Sequence, residues 1–203
     1  MQTPLRHQLP ATPSPADAPI VVVSGLPRSG TSMMMQILAA GGLELITDHQ
    51  RPADMDNPAG YFELERVKHI EKDASWLPGA RGKAFKMVSL LLLNLPPAFQ
   101  YKIVFMHRNL DEILASQFKM LARRGAPPGP SDARMAQLFT RHLAELDDWL
   151  QAQNFLKVLP VRYTDVLRDP RAKSAHIRDF LGIPLDIDRM ASAVDSSMHH
   201  NKS

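Results

Sequence analysis

Ile20-Val21-Val22-Val23 is an uncharged β-branched run, and the polar turn Ser24-Gly25-Leu26-Pro27-Arg28-Ser29-Gly30 separates it from an apolar stretch, Thr31 to Ala40. A run of that kind reads as a strand buried on both faces, and a Gly/Pro/Ser turn opening into an apolar stretch reads as strand, turn and helix. The strand is expected over about 20–23 and the helix over 31–40, stopped by Gly41-Gly42. A short strand over 43–46 follows, expected as a parallel neighbour of the first, and then a polar loop over 47–60 with turn signals at Asn57-Pro58 and Gly60. Phe62, Val67 and Ile70 suggest a helix over 62–75, and Lys83 begins a strand through Val88 that gives way to a Leu-rich turn or short helix before Pro96-Pro97. Further strands are expected over 101–106 and 155–161. Helices are expected up to Arg123, from a cap at Ser131 or Asp132 to about Gln151, over 171–181 before Gly182, and over 187–194. Alternation of this kind implies an α/β protein of three layers, α/β/α, with a central parallel sheet of about five strands, like that of P-loop NTPases.

The turn after the first strand carries the clearest chemistry. Backbone N–H groups of such a turn and of the first turn of the next helix converge on an anion, to which Ser29, Thr31 and Ser32 add hydroxyls and Arg28 a forked positive charge. Gly25 to Ser32 nearly matches the Walker A pattern, with Thr31 where its lysine belongs. The strand over 101–106 runs into His107 and Arg108 instead of the acidic residue that holds magnesium in NTPases. Lys86 is a cation inside an otherwise apolar strand, either a snorkelling edge residue or a charge aimed at the anion site. The polar loop starts at the carboxyl end of a strand, where α/β sheets receive ligands, so Asp48, His49, Asp54 and Glu63 are expected beside the bound ligand. His142, on the apolar face of the long helix, is expected to be a packed or edge histidine.

Composition narrows the class. With 203 residues, 44% of them hydrophobic, the chain is expected to form a single domain over 19–203 behind a flexible Pro-rich tail over 1–18. A net charge of +3 fits an anionic ligand, and no Lys/Arg run is dense enough for nucleic acid. The absence of cysteine excludes disulfides and thiolate metal sites. No stretch has the length of a membrane span or the pattern of a signal peptide, and a cytoplasmic location is expected.

The string Pro27-Arg28-Ser29-Gly30-Thr31-Ser32 resembles the 5′-phosphosulfate loop of the P-loop sulfotransferase superfamily. Arg108 followed eight residues later by Ser116 resembles the family's 3′-phosphate pair, and Tyr163-Thr164-Asp165 its Tyr-Glu-Asp segment. Asn57 to Glu63 and Tyr101 to Met106 are similar to bacterial members known only at family level. The resemblance implies a transferase that moves a sulfuryl group from 3′-phosphoadenosine 5′-phosphosulfate (PAPS) to a hydroxyl or amine of a small molecule, glycan or lipid, with no metal. It implies that Pro27 to Ser32 bind the 5′-phosphate, Arg28 bridges phosphate and sulfuryl, Arg108 and Ser116 grip the 3′-phosphate, and Tyr163 approaches the nucleotide. An Arg/Lys segment near the chain's end closes over the 3′-phosphate in many members, and His199 to Lys202 match it loosely. The eukaryotic cytosolic members carry a lysine at Arg28, a tryptophan at Met33 and a catalytic histidine on the strand Lys86-Met87-Val88-Ser89. Without that histidine the proton acceptor is expected at Asp48, as in protein-tyrosine and trehalose sulfotransferases, with His49 and Glu63 as rivals. The competing classes are a P-loop kinase using ATP and a catalytically silent protein that binds adenosine bisphosphate.

Overall fold

The structure, a computed structural model, describes residues 18–48, 60–123, 125 and 130–194. Four parallel strands form its sheet: β1 (Ile20–Gly25), β2 (Ala84–Val88), β3 (Tyr101–His107) and β4 (Leu156–Arg162), in the order β2-β1-β3-β4. β1 lies between two partners and is buried along its whole length, which is why it is the most apolar and most β-branched segment of the chain. Successive side chains of a strand point to opposite faces, so Ile20 and Val22 enter one core and Val21 and Val23 the other.

The first core lies under α3 (Asp132–Ala152) and three short 3₁₀ segments, Glu65–His69, Leu77–Ala80 and Ser89–Asn94. The second is covered by α1 (Thr31–Ala40), α4 (Tyr163–Arg168), α5 (Pro170–Leu181) and α6 (Ile187–Ser192). α2 (Leu110–Arg123) leaves the carboxyl end of β3 and packs on α3, where Ile113 and Leu114 meet Phe139 and Leu26. Local signals set the helix starts: Ser131 Oγ accepts from the N–H of Arg134, and Asp169 Oδ1 accepts from the N–H of Ala172 with Pro170 at the first helical position.

Two expected elements take other forms. The strand over 43–46 is a single bridge, Leu45 to Ala84, so it borders β2 and not β1, whose two edges are already filled. Among the described residues the sheet therefore has four strands, against about five expected. The helix over 62–75 is reduced to the 3₁₀ turn Glu65–His69, because Phe62 has φ 50° and Leu64 is extended at φ −137°. Val67 and Ile70, three apart, lie on one side of such a turn and fill the core from it. α4 is an additional turn of helix after β4. Most of the polar loop, with His49 and Asp54, most of the Pro-rich stretch 125–130 and the final tail lie outside the described residues.

Candidate anion site and its neighbourhood

The turn between β1 and α1 is held by close contacts that admit only glycine at two positions. At Gly25, with φ 151°, an added Cβ would stand 2.5 Å from Ser29 Oγ and 2.6 Å from the carbonyl of Met106. At Gly30, with φ 100°, it would stand 2.5 Å from Cδ2 of Tyr163. All three distances are below any real contact, and both conformations are costly for residues with a side chain. The N–H of Ser29 closes the turn on the carbonyl of Leu26 at 3.1 Å, which puts Arg28 in the left-handed region at φ 68°. A non-glycine residue held there stores strain of about 1–2 kcal/mol, a cost found where the geometry serves a ligand.

This turn presents donors with little to satisfy them. Gly30 caps α1 without a side chain, and the first turn of α1 carries no acidic residue, so the positive end of the helix dipole is uncompensated. Ser29 is buried, and its Oγ has no hydrogen-bond partner among the described residues. A buried hydroxyl left unpaired costs about 1–3 kcal/mol, so an anion accepting from it recovers that loss. The donor set therefore fits a phosphate or sulfate group.

Two arginines and a serine flank the turn. The Nε of Arg28 donates to Ser116 Oγ at 3.0 Å. The Nη1 of Arg108 donates to the carbonyl of Arg28 at 3.2 Å and its Nε to Glu112 Oε2 at 2.9 Å. Arg108 lies with its guanidinium carbon 4.4 Å from the centre of the Tyr163 ring, a cation–π contact in a nearly dry setting, since its side chain is only 7% exposed. Burial pushes the Tyr163 hydroxyl's pKa up, with Arg108 opposing, and the phenol stays neutral. The residues expected from the motifs thus converge, with one difference: Ser116 bonds to Arg28, and Arg108 reaches it through Arg28's own carbonyl.

A third cation joins this group from the neighbouring strand. Lys86, whose register partner in β1 is Val23, has its Nζ 3.4 Å from Ser32 Oγ and 3.8 Å from Glu63 Oε1, and donates to the carbonyl of Tyr61. Its side chain is only 11% exposed, so it is not a snorkelling edge residue. A cation is thus supplied beside the first turn of α1 although Thr31 occupies the loop position of the Walker lysine. The sequence signal was present, a lysine two residues before the carboxyl end of an apolar strand, but only strand register shows where it reaches.

Asp48 and Glu63 are brought together by backbone pairing, the N–H of Asp48 donating to the carbonyl of Glu63 at 3.1 Å. The Asp48 carboxylate accepts from the N–H of Glu65 at 2.6 Å and so caps the 3₁₀ turn, while Glu63 pairs with Lys86. Among the described residues no group of three or more His, Asp or Glu side chains could hold a metal ion, and no helix is long and apolar enough to cross a membrane.

Comparison with known proteins agrees with this architecture. The family model for the sulfotransferase domain matches residues 18–203. Among solved structures, the sulfotransferase domain from the curacin biosynthetic pathway superposes with TM-score 0.54 at 14% identity, covering 88% of this chain and 78% of that one. Mouse sulfotransferase SULT7A1, solved with PAP, gives TM-score 0.55 at 18% identity over 87% of this chain and 62% of its own. STF1 from Mycobacterium tuberculosis H37Rv gives 0.55 at 18% over 91% and 72%. A search of curated proteins returns no significant match. The match of the domain model from the entry into β1 onward and the P-loop form of the fold mean that the chain belongs to the P-loop sulfotransferase superfamily.

Proposed function

We propose that this protein transfers a sulfuryl group from PAPS to a hydroxyl or amine acceptor by in-line displacement, without a metal ion. The observation that carries this reading is the linkage of Arg28, Arg108 and Ser116 around a turn whose buried Ser29 hydroxyl is unpaired. Two guanidinium groups and a helix N-terminus suit a ligand with two separate phosphates, and the mouse neighbour was solved with PAP.

In this reading the backbone of Pro27 to Ser32 and the hydroxyls of Ser29, Thr31 and Ser32 hold the 5′-phosphate. Arg28 and Lys86 face the charge that develops between leaving phosphate and sulfuryl oxygens, the work that magnesium does in kinases. Arg108 and Ser116 hold the 3′-phosphate, and Tyr163 lies beneath the nucleotide. The acceptor is a small molecule, glycan or lipid that enters at the β2 end, where Glu63 and Asp48 are the carboxylates available to its proton.

Arg28→Ala should abolish transfer, and retained activity would sink the assignment. Arg108→Ala should weaken adenosine 3′,5′-bisphosphate by about 10- to 100-fold, the loss of a charged hydrogen bond, and leave adenosine 5′-phosphate nearly unchanged. A thermal-shift comparison separates the kinase class: stabilisation by the bisphosphate and none by ATP with magnesium is expected.

A further inference from the structure

The carboxyl end of β2 carries a second polar contact that the reading above does not use. Ser89, the first residue of the 3₁₀ segment after β2, is fully buried, and its Oγ lies 2.9 Å from Nε2 of His142 on α3. Ser89 follows Val88, whose register partner is Gly25, the residue where the anion-binding turn begins. The same stretch of α3 touches that turn directly, since Phe139, one helical turn before His142, packs on Leu26 together with Leu143. His142 therefore stands at the carboxyl end of β2, on the α3 face of the sheet and one helical turn from the residue that packs on the anion-binding turn.

We propose that His142 is the base that takes the acceptor's proton, oriented by Ser89; this rests on the sulfuryl-transfer reading. In the tautomer that serves this role, Ser89 Oγ accepts from Nε2–H and the lone pair lies on Nδ1. The step balances as follows. The acceptor oxygen forms a bond to sulfur as the bond from sulfur to the 5′-phosphate oxygen breaks, the acceptor's proton goes to Nδ1, and adenosine 3′,5′-bisphosphate leaves with the electron pair. The imidazolium then returns its proton to solvent.

Three observations support the assignment over the two carboxylates. Asp48 is engaged by the N–H of Glu65 and Glu63 by Lys86, so both carboxylates already hold donors in place. An imidazole is also the better base, its ordinary pKa lying about two units above that of a carboxylic acid. Finally, burial pulls the pKa of His142 below its usual value, with Glu145 opposing, so the neutral form that accepts a proton persists to lower pH. On its own helix the neighbouring Glu145 is bonded to Arg141, the 3₁₀ segment Ser89–Asn94 has no titratable side chain, and α2, packed against α3, carries Asp111, the Glu112 bonded to Arg108, Lys119 and Arg123.

The test uses the full chain with PAPS and a panel of aliphatic alcohols and sugars, comparing wild type with His142→Asn, Ser89→Ala, Glu63→Gln and Asp48→Asn. In wild type, kcat should rise with pH as His142 loses its proton and level off above its pKa. His142→Asn should lower kcat by about 10²- to 10⁴-fold and remove that rising limb, with acceptor KM and calorimetric affinity for adenosine 3′,5′-bisphosphate unchanged. Ser89→Ala should give a smaller fall in kcat with the limb retained. An intact limb and unchanged kcat in His142→Asn overturn the proposal, as does loss of the limb in Glu63→Gln or Asp48→Asn instead. Wild type that fails to bind the bisphosphate, or binds it and transfers to no acceptor, overturns the underlying reading and the proposal with it.

Discussion

The two ends of the site are built by different means. The anion-binding end is over-determined: Gly25 and Gly30 admit no Cβ, Arg28 is held in the left-handed region, and Arg108 is fixed at once by Arg28, Glu112 and Tyr163. The end proposed for the acceptor is assembled from contacts between separate stretches of chain, Asp48 to Glu63 and Glu65, Lys86 to Tyr61, Ser32 and Glu63, Ser89 to His142. A phosphate is the same object in every reaction and rewards a rigid set of donors. An acceptor varies in shape, and 3₁₀ turns and loops accommodate change at lower cost than a strand–helix junction.

The largest test of that contrast is at the rigid end. Gly30→Ala adds a methyl 2.5 Å from the Tyr163 ring at a φ of 100°, so either the turn opens or Tyr163 and the Arg108 stacked on it move. Affinity for adenosine 3′,5′-bisphosphate, measured by calorimetry, should fall about 100-fold or more, equivalent to ~3 kcal/mol. Gly42→Ala is the control. It shares a positive φ, 97°, but its Cβ meets nothing within 4 Å, so it should cost only about 1 kcal/mol of stability and leave affinity unchanged. Equal affinity losses in the two variants would mean that the turn is no more rigid than an ordinary helix terminus.

This asymmetry also governs what was legible in the sequence. β1, the turn and α1 are contiguous, and their determinants are local: a β-branched run, glycines at the two crowded positions and a break in polarity at Thr31. The start of β1 and both ends of α1 follow from the chain, while β1 runs on through Ser24 and Gly25, which read as turn. Lys86 was visible as an anomaly but not as a neighbour of Ser32, because parallel register cannot be counted from sequence. Residues 62–75 mislead for a related reason. Val67 and Ile70 have a spacing common to α and 3₁₀ turns, and the positive φ of Phe62 leaves no glycine to announce it. His142 was legible as a member of an apolar helix face, and its partner Ser89 lies 53 residues away.

Lys86 joins the two ends, and Lys86→Met measures how strongly. The substitution keeps most of the apolar stem and removes a cation that is shared by Ser32, Tyr61 and Glu63. If Lys86 faces the developing charge, kcat should drop by about 10²- to 10³-fold, the usual loss for one donor aimed at a transition state. Affinity for the bisphosphate, which lacks the sulfuryl group, should change far less. A parallel loss of both would assign Lys86 to the rigid end alone.

The smallest effect is expected at Asp48, and it separates support from chemistry at the acceptor end. Its carboxylate caps the turn Glu65–His69 through a 2.6 Å bond from the N–H of Glu65, the job of an N-cap residue. Asp48→Ala should therefore destabilise by about 1 kcal/mol, seen as a fall of roughly 2–4 °C in Tm for a domain of this size. Asp48→Asn keeps an acceptor oxygen and should recover most of that loss. If capping is its whole contribution, kcat stays close to wild type in both variants. A kcat that falls in Asp48→Asn while Tm holds would instead make this carboxylate the proton acceptor, with its bond to Glu65 serving to aim it.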